Sequence, residues 1–198
     1  GRCGGCAFRS TIAEASPGHP NIFRTQEIYS QNLKMFPKWR DAMERFKKEL
    51  ENCKPDACDM KSWQSFIDGL QGRDLMTQLR EVHREFNKRR YITDPVNWNL
   101  PDYWETPFQF LRRNGDCEDY AIVKYMVLRE LGIPLEDMRI VVLQDLNPGI
   151  AHAILVVYTD GKALVLYNQI SSIVPADSIR HYQPVYSLNE RGWWLHRS

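Results

Sequence analysis

Arg113-Asn114-Gly115-Asp116-Cys117-Glu118-Asp119-Tyr120-Ala121-Ile122-Val123-Lys124-Tyr125 is the stretch on which the fold turns. Asp116 stands where a helix N-cap belongs, and Asp119, three residues on, is spaced as the partner of a capping box. Ile122, Tyr125, Met126, Leu128 and Leu131 continue as the apolar positions of one helix, which Gly132 and Pro134 bring to an end. Cys117 therefore falls in the first helical turn. Unpaired backbone N–H groups and the positive end of the peptide dipoles meet there, which favours thiolate over thiol and can receive an oxyanion. Two readings stand for such a thiol: a nucleophile, or a small buried helix residue.

C-terminal to this helix the pattern changes to strands. Ile140 to Leu143 is a short, mostly β-branched apolar run, and His152–Tyr158 and Ala163–Tyr167 flank Thr159-Asp160-Gly161-Lys162, where Asp-Gly is a strong two-residue hairpin signal. A last strand is expected over Val185–Leu188 or Gly192–Leu195. If Thr159 pairs with Lys162, counting back sets Gln169 opposite His152 and Tyr167 diagonal on the same face, with Asn168 on the other face unless a bulge intervenes. His152 is thus the candidate base for Cys117, with Gln169, Tyr167 and Asn168 as candidate orienters; its plainer reading is a satisfied structural histidine.

N-terminal to the central stretch the chain is helical. Ile28, Leu33, Met35, Phe36, Trp39, Met43, Phe46 and Leu50 recur at three- and four-residue steps from Thr25 to about Leu50, with Pro37 kinking or separating two pieces. Trp63, Phe66, Ile67 and Leu70 form a short helix ended near Gly72, and Leu75, Leu79, Val82 and Phe86 another. Asn87 to Pro107, with three prolines and Tyr91, Trp98, Tyr103 and Trp104, is expected as an irregular connection packed by its own rings. Helices first and antiparallel strands after them make the class α+β. Residues 1–20 are expected as an extended N-terminal arm and residues 21–198 as one domain. Trp98, Trp104, Trp193 and Trp194 are read either as a substrate groove or as core and rim packing.

Composition narrows the partners. The 198 residues carry 26 basic and 25 acidic side chains, a formal charge of +1, so no global field draws nucleic acid or an anionic membrane. The apolar runs fall well short of the roughly 20 residues of a membrane span, which leaves a peptide or protein as partner. The chain opens on Gly1 with small and polar residues and is expected as a mature form whose export signal has been removed. Cys3, Cys6, Cys53 and Cys58 make two close pairs beside the odd Cys117. Cys53 and Cys58 suit either a disulfide in an oxidising compartment or two free thiols, and zinc fits the spacing poorly.

Asp102-Tyr103-Trp104-Glu105-Thr106-Pro107, Gly115 to Tyr125, Ala151-His152-Ala153-Ile154-Leu155 and Val185 to Trp194 together resemble the bacterial transglutaminase-like cysteine peptidases, and within them the LapG-type periplasmic proteases. The resemblance implies a papain/transglutaminase-like fold, with the nucleophile helix packed on an antiparallel sheet. It implies peptide hydrolysis by Cys117 and His152 in the periplasm, with a large surface adhesin as substrate, cut at a di-alanine site so that biofilm disperses. It also implies restraint by an inner-membrane cyclic-di-GMP receptor, and calcium held by Asp116, Glu118 and Asp119. Those carboxylates equally suit an N-cap favoured by the helix dipole. The family's Leu-Asp-Asn, which supplies the third catalytic residue, stands here as Leu166-Tyr167-Asn168. Its aspartate is a tyrosine, so Gln169, Asn168 or Tyr167 is left to orient the base. Acyl transfer of the transglutaminase type, and a weakly active or inactive binding module, are the alternative functions.

Overall fold

The protein is described by a computed structural model, which covers residues 19–53 and 59–198. Most of the expected N-terminal arm, with Cys3, Cys6 and Cys58, lies outside the described residues. Cys53 is disulfide-bonded.

The chain runs β1 (Gln26–Ser30), α1 (Pro37–Asn52), α2 (Met60–Leu70), α3 (Leu75–Asn87), α4 (Asp94–Trp98), α5 (Pro107–Arg113), α6 (Cys117–Glu130), β2 (Met138–Asp145), β3 (Ile150–Thr159), β4 (Lys162–Leu166), β5 (Val174–Pro175), β6 (Tyr182–Leu188) and β7 (Trp193–Arg197). The seven strands form one antiparallel sheet in the order β1-β7-β6-β2-β3-β4-β5. The two stretches given as alternatives for one last strand both form strands, β6 and β7. The β3–β4 hairpin has Thr159 opposite Lys162, with Asp160 and Gly161 at φ 49° and 71°, the left-handed pair that a type I′ turn demands.

β1 departs from the expected helix. Ile28 falls on the helical spacing, yet Gln26–Ser30 pairs with Arg197–Trp193 from the far end of the chain. Local periodicity cannot register such a partner, and the helical pattern begins only where Pro37 opens α1. The 87–107 connection also carries more helix than expected, as α4 and the first residue of α5.

Successive strand residues alternate between two covered faces. Ile140, Leu155, Val157, Leu164, Leu166 and Leu188 face the helices, while Val141, Leu143, Ile154, Val156, Val165 and Tyr167 pack beneath Ile22, Phe23, Ile179 and Tyr182. Between the sheet and the outer helices runs α6, buried at every residue from Asp119 to Leu128. This burial holds its first turn in a fixed place against β3, from which the site is built.

Candidate active site

Cys117 is the first residue of α6 and is 8% exposed. Asp119 Oδ2 accepts the N–H of Asp116 at 3.0 Å, closing the capping box that starts the helix. Sγ lies 3.3 Å from Glu118 Oε2, to which it donates, and it receives a backbone hydrogen bond from Ala153. That contact is possible because the β3–β4 ladder ends at Leu155–Leu166, so the outer edge of β3 is open where α6 meets it. Burial pushes the thiol up from its ordinary value, Glu118 and Asp116 add to the rise, and the Ala153 N–H opposes them. Desolvation and two neighbouring carboxylates thus oppose the thiolate that a helix N-terminus favours.

His152, one residue before Ala153, is 7% exposed. Its Nε2 lies 3.4 Å from Asp145 Oδ2, at the end of β2. The three expected orienters are placed otherwise. The Tyr167 ring sits 5.1 Å from the imidazole, but its buried hydroxyl has no hydrogen-bond partner. Asn168 Oδ1 is buried and likewise unpartnered. Gln169 is exposed in a turn closed by the Ile170 N–H on the Tyr167 carbonyl at 3.2 Å, so the ladder stops before it can stand opposite His152. This turn is held from the helical layer. Lys124 Nζ donates to Asn87 Oδ1 at 2.6 Å, Asn87 Nδ2 donates to the Tyr167 carbonyl at 3.2 Å, and His83 Nε2 donates to the Ile170 carbonyl at 2.8 Å.

The acidic residues divide. Asp116 and Asp119 converge with Asp94, with one oxygen of each within 4.8 Å of the others, whereas Glu118 is turned toward the thiol. Asp94 had no place among the expected ligands. Its only local signal is a position after Thr93 and before Pro95 at a helix start, and the 22 residues to Asp116 are closed by pairing of Tyr91 with Gly115. Asp94 Oδ2 accepts the Tyr103 N–H at 2.8 Å and Asp119 Oδ1 the Glu105 N–H at 2.8 Å, while Asp94 Oδ1 and Asp116 Oδ1 are buried without partners. Burial raises all three carboxyls, and Asp119 further raises Asp116. Buried oxygens that lack donors, crowded by like charge, fit a hard divalent cation.

The tryptophans mostly pack. Trp104 meets Trp39 edge to face at 6.5 Å, and Trp194 lies under the Arg139 guanidinium at 3.7 Å. Trp98 Nε1 donates to Glu105 Oε1 at 2.7 Å beside the acidic cluster.

Solved structures share this fold. The calcium-bound form of LapG from Legionella pneumophila is 34% identical, with 77% of this chain and 86% of that one superposed at a TM-score of 0.63. Its EGTA-treated form is 33% identical over 78% and 86%, with a TM-score of 0.65. None of the curated proteins compared with the chain matches it. The model of the bacterial transglutaminase-like cysteine proteinases matches residues 46–196, more than half of the sequence, and the fold is the one that match implies. The chain belongs to the bacterial transglutaminase-like cysteine proteinases.

Proposed function

We propose that this cysteine protease is a calcium-dependent periplasmic endopeptidase whose nucleophile is Cys117 and whose base is His152. The observation that supports the reading is the hydrogen bond from the Ala153 N–H to Sγ, which brings the thiol to β3 at the residue after His152. In the acylation step Sγ attacks the peptide carbonyl, His152 takes the thiol proton, and the C–N bond breaks as His152 returns that proton to the leaving amine. Water then attacks the thioester and gives its proton to His152, so that the carboxylate product leaves and the thiol is restored. Asp94, Asp116 and Asp119 hold the calcium, with Glu118 between that cluster and the thiol. When bound, the cation would supply positive charge at the start of α6, where burial and the Glu118 and Asp116 carboxylates raise the thiol. The calcium-bound LapG form supports this part of the reading.

The substrate is a large surface adhesin cut at a di-alanine site, with biofilm dispersal as the outcome, and an inner-membrane cyclic-di-GMP receptor restrains the enzyme. Its resemblance to LapG supports these partners. No helix among the described residues is long and apolar enough to cross a membrane. An internally quenched peptide containing an Ala-Ala bond tests the reading in calcium and in chelator, with mass spectrometry of the products and with added methylamine. Cleavage is expected in calcium, to two fragments with a free carboxylate, and Cys117→Ala and His152→Ala abolish it. Methylamide products without hydrolysis would instead establish acyl transfer, and no turnover under any condition would leave a binding module.

A further inference from the structure

One ring nitrogen of His152 has to face the thiol, and the other needs an acceptor to hold the imidazole in a single tautomer and to stabilise the imidazolium. Tyr167, Asn168 and Gln169 do not provide that acceptor: an unbonded hydroxyl, an unpartnered buried oxygen, and an exposed amide beyond the end of the ladder. We propose that the acceptor comes from β2 instead, and that Asp145 is the positioning residue that holds His152 Nε2 so that Nδ1 is left for Cys117. This rests on the Cys117–His152 reading above.

The register of the sheet produces the pair. Leu143 is opposite His152 and Asp145 opposite Ile150, so Asp145 lies two residues further along the face of β2 that His152 shares. The diagonal neighbour is in reach, at 3.4 Å from Oδ2 to Nε2, and both side chains are mostly buried. The carboxylate is itself oriented. Oδ1 accepts the Asn147 N–H at 3.1 Å, and the Asp145 carbonyl accepts the Gly149 N–H at 2.9 Å, which closes the turn into β3. Oδ2 is thereby left to the imidazole. His181 Nε2, 3.8 Å from Oδ1, approaches from the solvent side, and the Tyr167 and Tyr182 rings wall His152 at 5.1 and 6.4 Å. In such a pocket an acceptor on Nε2–H fixes the Nε2–H tautomer of the neutral ring. When Sγ gives its proton to Nδ1, the carboxylate faces the new positive charge.

The test uses wild type, Asp145→Ala, Asp145→Asn and Tyr167→Phe. It combines kcat and KM on the Ala-Ala peptide in calcium with 15N NMR of the neutral histidine rings. Asp145→Ala is expected to lower kcat by roughly 10²-fold or more with KM within about twofold, and to lose the Nε2–H tautomer. Asp145→Asn, whose single acceptor oxygen cannot serve both the Asn147 N–H and Nε2–H, is expected to lose kcat about as far as Asp145→Ala, with its amide N–H facing Nε2 and the ring switched to the Nδ1–H tautomer. The His83 and His196 signals, both rings being buried and hydrogen-bonded elsewhere, report whether each variant is folded. The assignment is overturned if Asp145→Ala keeps both the tautomer and kcat, or if Tyr167→Phe alone removes the tautomer. It is also overturned if kcat falls while the tautomer is unchanged, or the tautomer is lost while kcat is not. Failure of the peptidase reading shows differently, as hydrolysis that survives Cys117→Ala, and the tautomer measurement reports on Asp145 in either case.

Discussion

A Cβ placed on Gly115 would stand 2.5 Å from Asp119 Oδ2, 2.7 Å from its Cβ and 2.9 Å from its Cγ, and the same construction on Gly69 meets nothing within 4 Å. The two glycines therefore answer substitution oppositely. Gly115→Ala must displace Asp119, whose two oxygens receive the Glu105 and Asp116 amides and which is one of the three clustered carboxylates. Calcium affinity measured by titration calorimetry is expected to fall roughly 10–100-fold, as when the support of a metal ligand is removed. Unchanged affinity in Gly115→Ala would place the ion elsewhere. Gly69 is the second-last residue of α2 and has no positive φ, so Gly69→Ala is expected to raise stability modestly, by up to roughly 0.5 kcal/mol in urea titrations. At this scale the sequence was informative where the signal was local. Asp116 and Cys117 were legible because a cap and a first turn are read within four residues. Asp94 and Asp145 were not, because each meets its partners only through pairing that closes over a loop whose register the residues do not state.

At the scale of elements the least legible strand is also the one with the clearest energetic signature. β1 is anchored by a buried ion pair: Glu27 Oε1 accepts from Arg139 Nη1 on β2 at 2.7 Å, across the face of β7 and β6, which lie between the two strands. Glu27 Oε2 accepts the Ile22 N–H at 3.0 Å, and the guanidinium lies over Trp194 at 3.7 Å and Tyr158 at 5.1 Å. Both charged side chains are almost fully removed from water, so removing one strands the other. Glu27→Gln is expected to destabilise the fold by roughly 3–5 kcal/mol in chemical denaturation. A loss below about 1 kcal/mol, the range of exposed pairs, would show that water reaches Arg139. By contrast α6 was legible from end to end and the β3–β4 hairpin at its turn, although its ladder stops at Leu155–Leu166, short of the expected pairing of Gln169 with His152. Their limits are set by Asp116, Gly132, Asp160 and Gly161, residues that act on their own backbone and need no distant partner.

Across the whole molecule, two buried polar clusters tie layers together on opposite sides of the sheet, and each contains a neutral histidine. His83 joins α3, Lys124 of α6 and the turn after β4, and burial, followed by the Lys124 charge, lowers it to about 4. His196 of β7 bonds Thr25 and Ser187, and burial, followed by Arg139, lowers it to about 3. The ordinary value is 6.5, so below it the unfolded chain takes up protons that the folded chain refuses. Stability is then fully present above pH 6.5 and is lost as pH falls toward 4 and 3, by up to about 1.4 kcal/mol per pH unit for each ring. The buried carboxyls near Cys117, raised by desolvation, act with the opposite sign, so the total curve does not isolate the histidines. A difference does. His83→Gln loses hydrogen bonds at neutral pH but has no proton to take up on unfolding, and the carboxyls are common to both proteins. Urea denaturation from pH 7 to 4.5 is therefore expected to show wild type falling more steeply than His83→Gln, with the gap between them narrowing as pH drops. Parallel curves would mean that His83 binds its proton equally in both states, and the joint between α3, α6 and the turn after β4 would then survive acid.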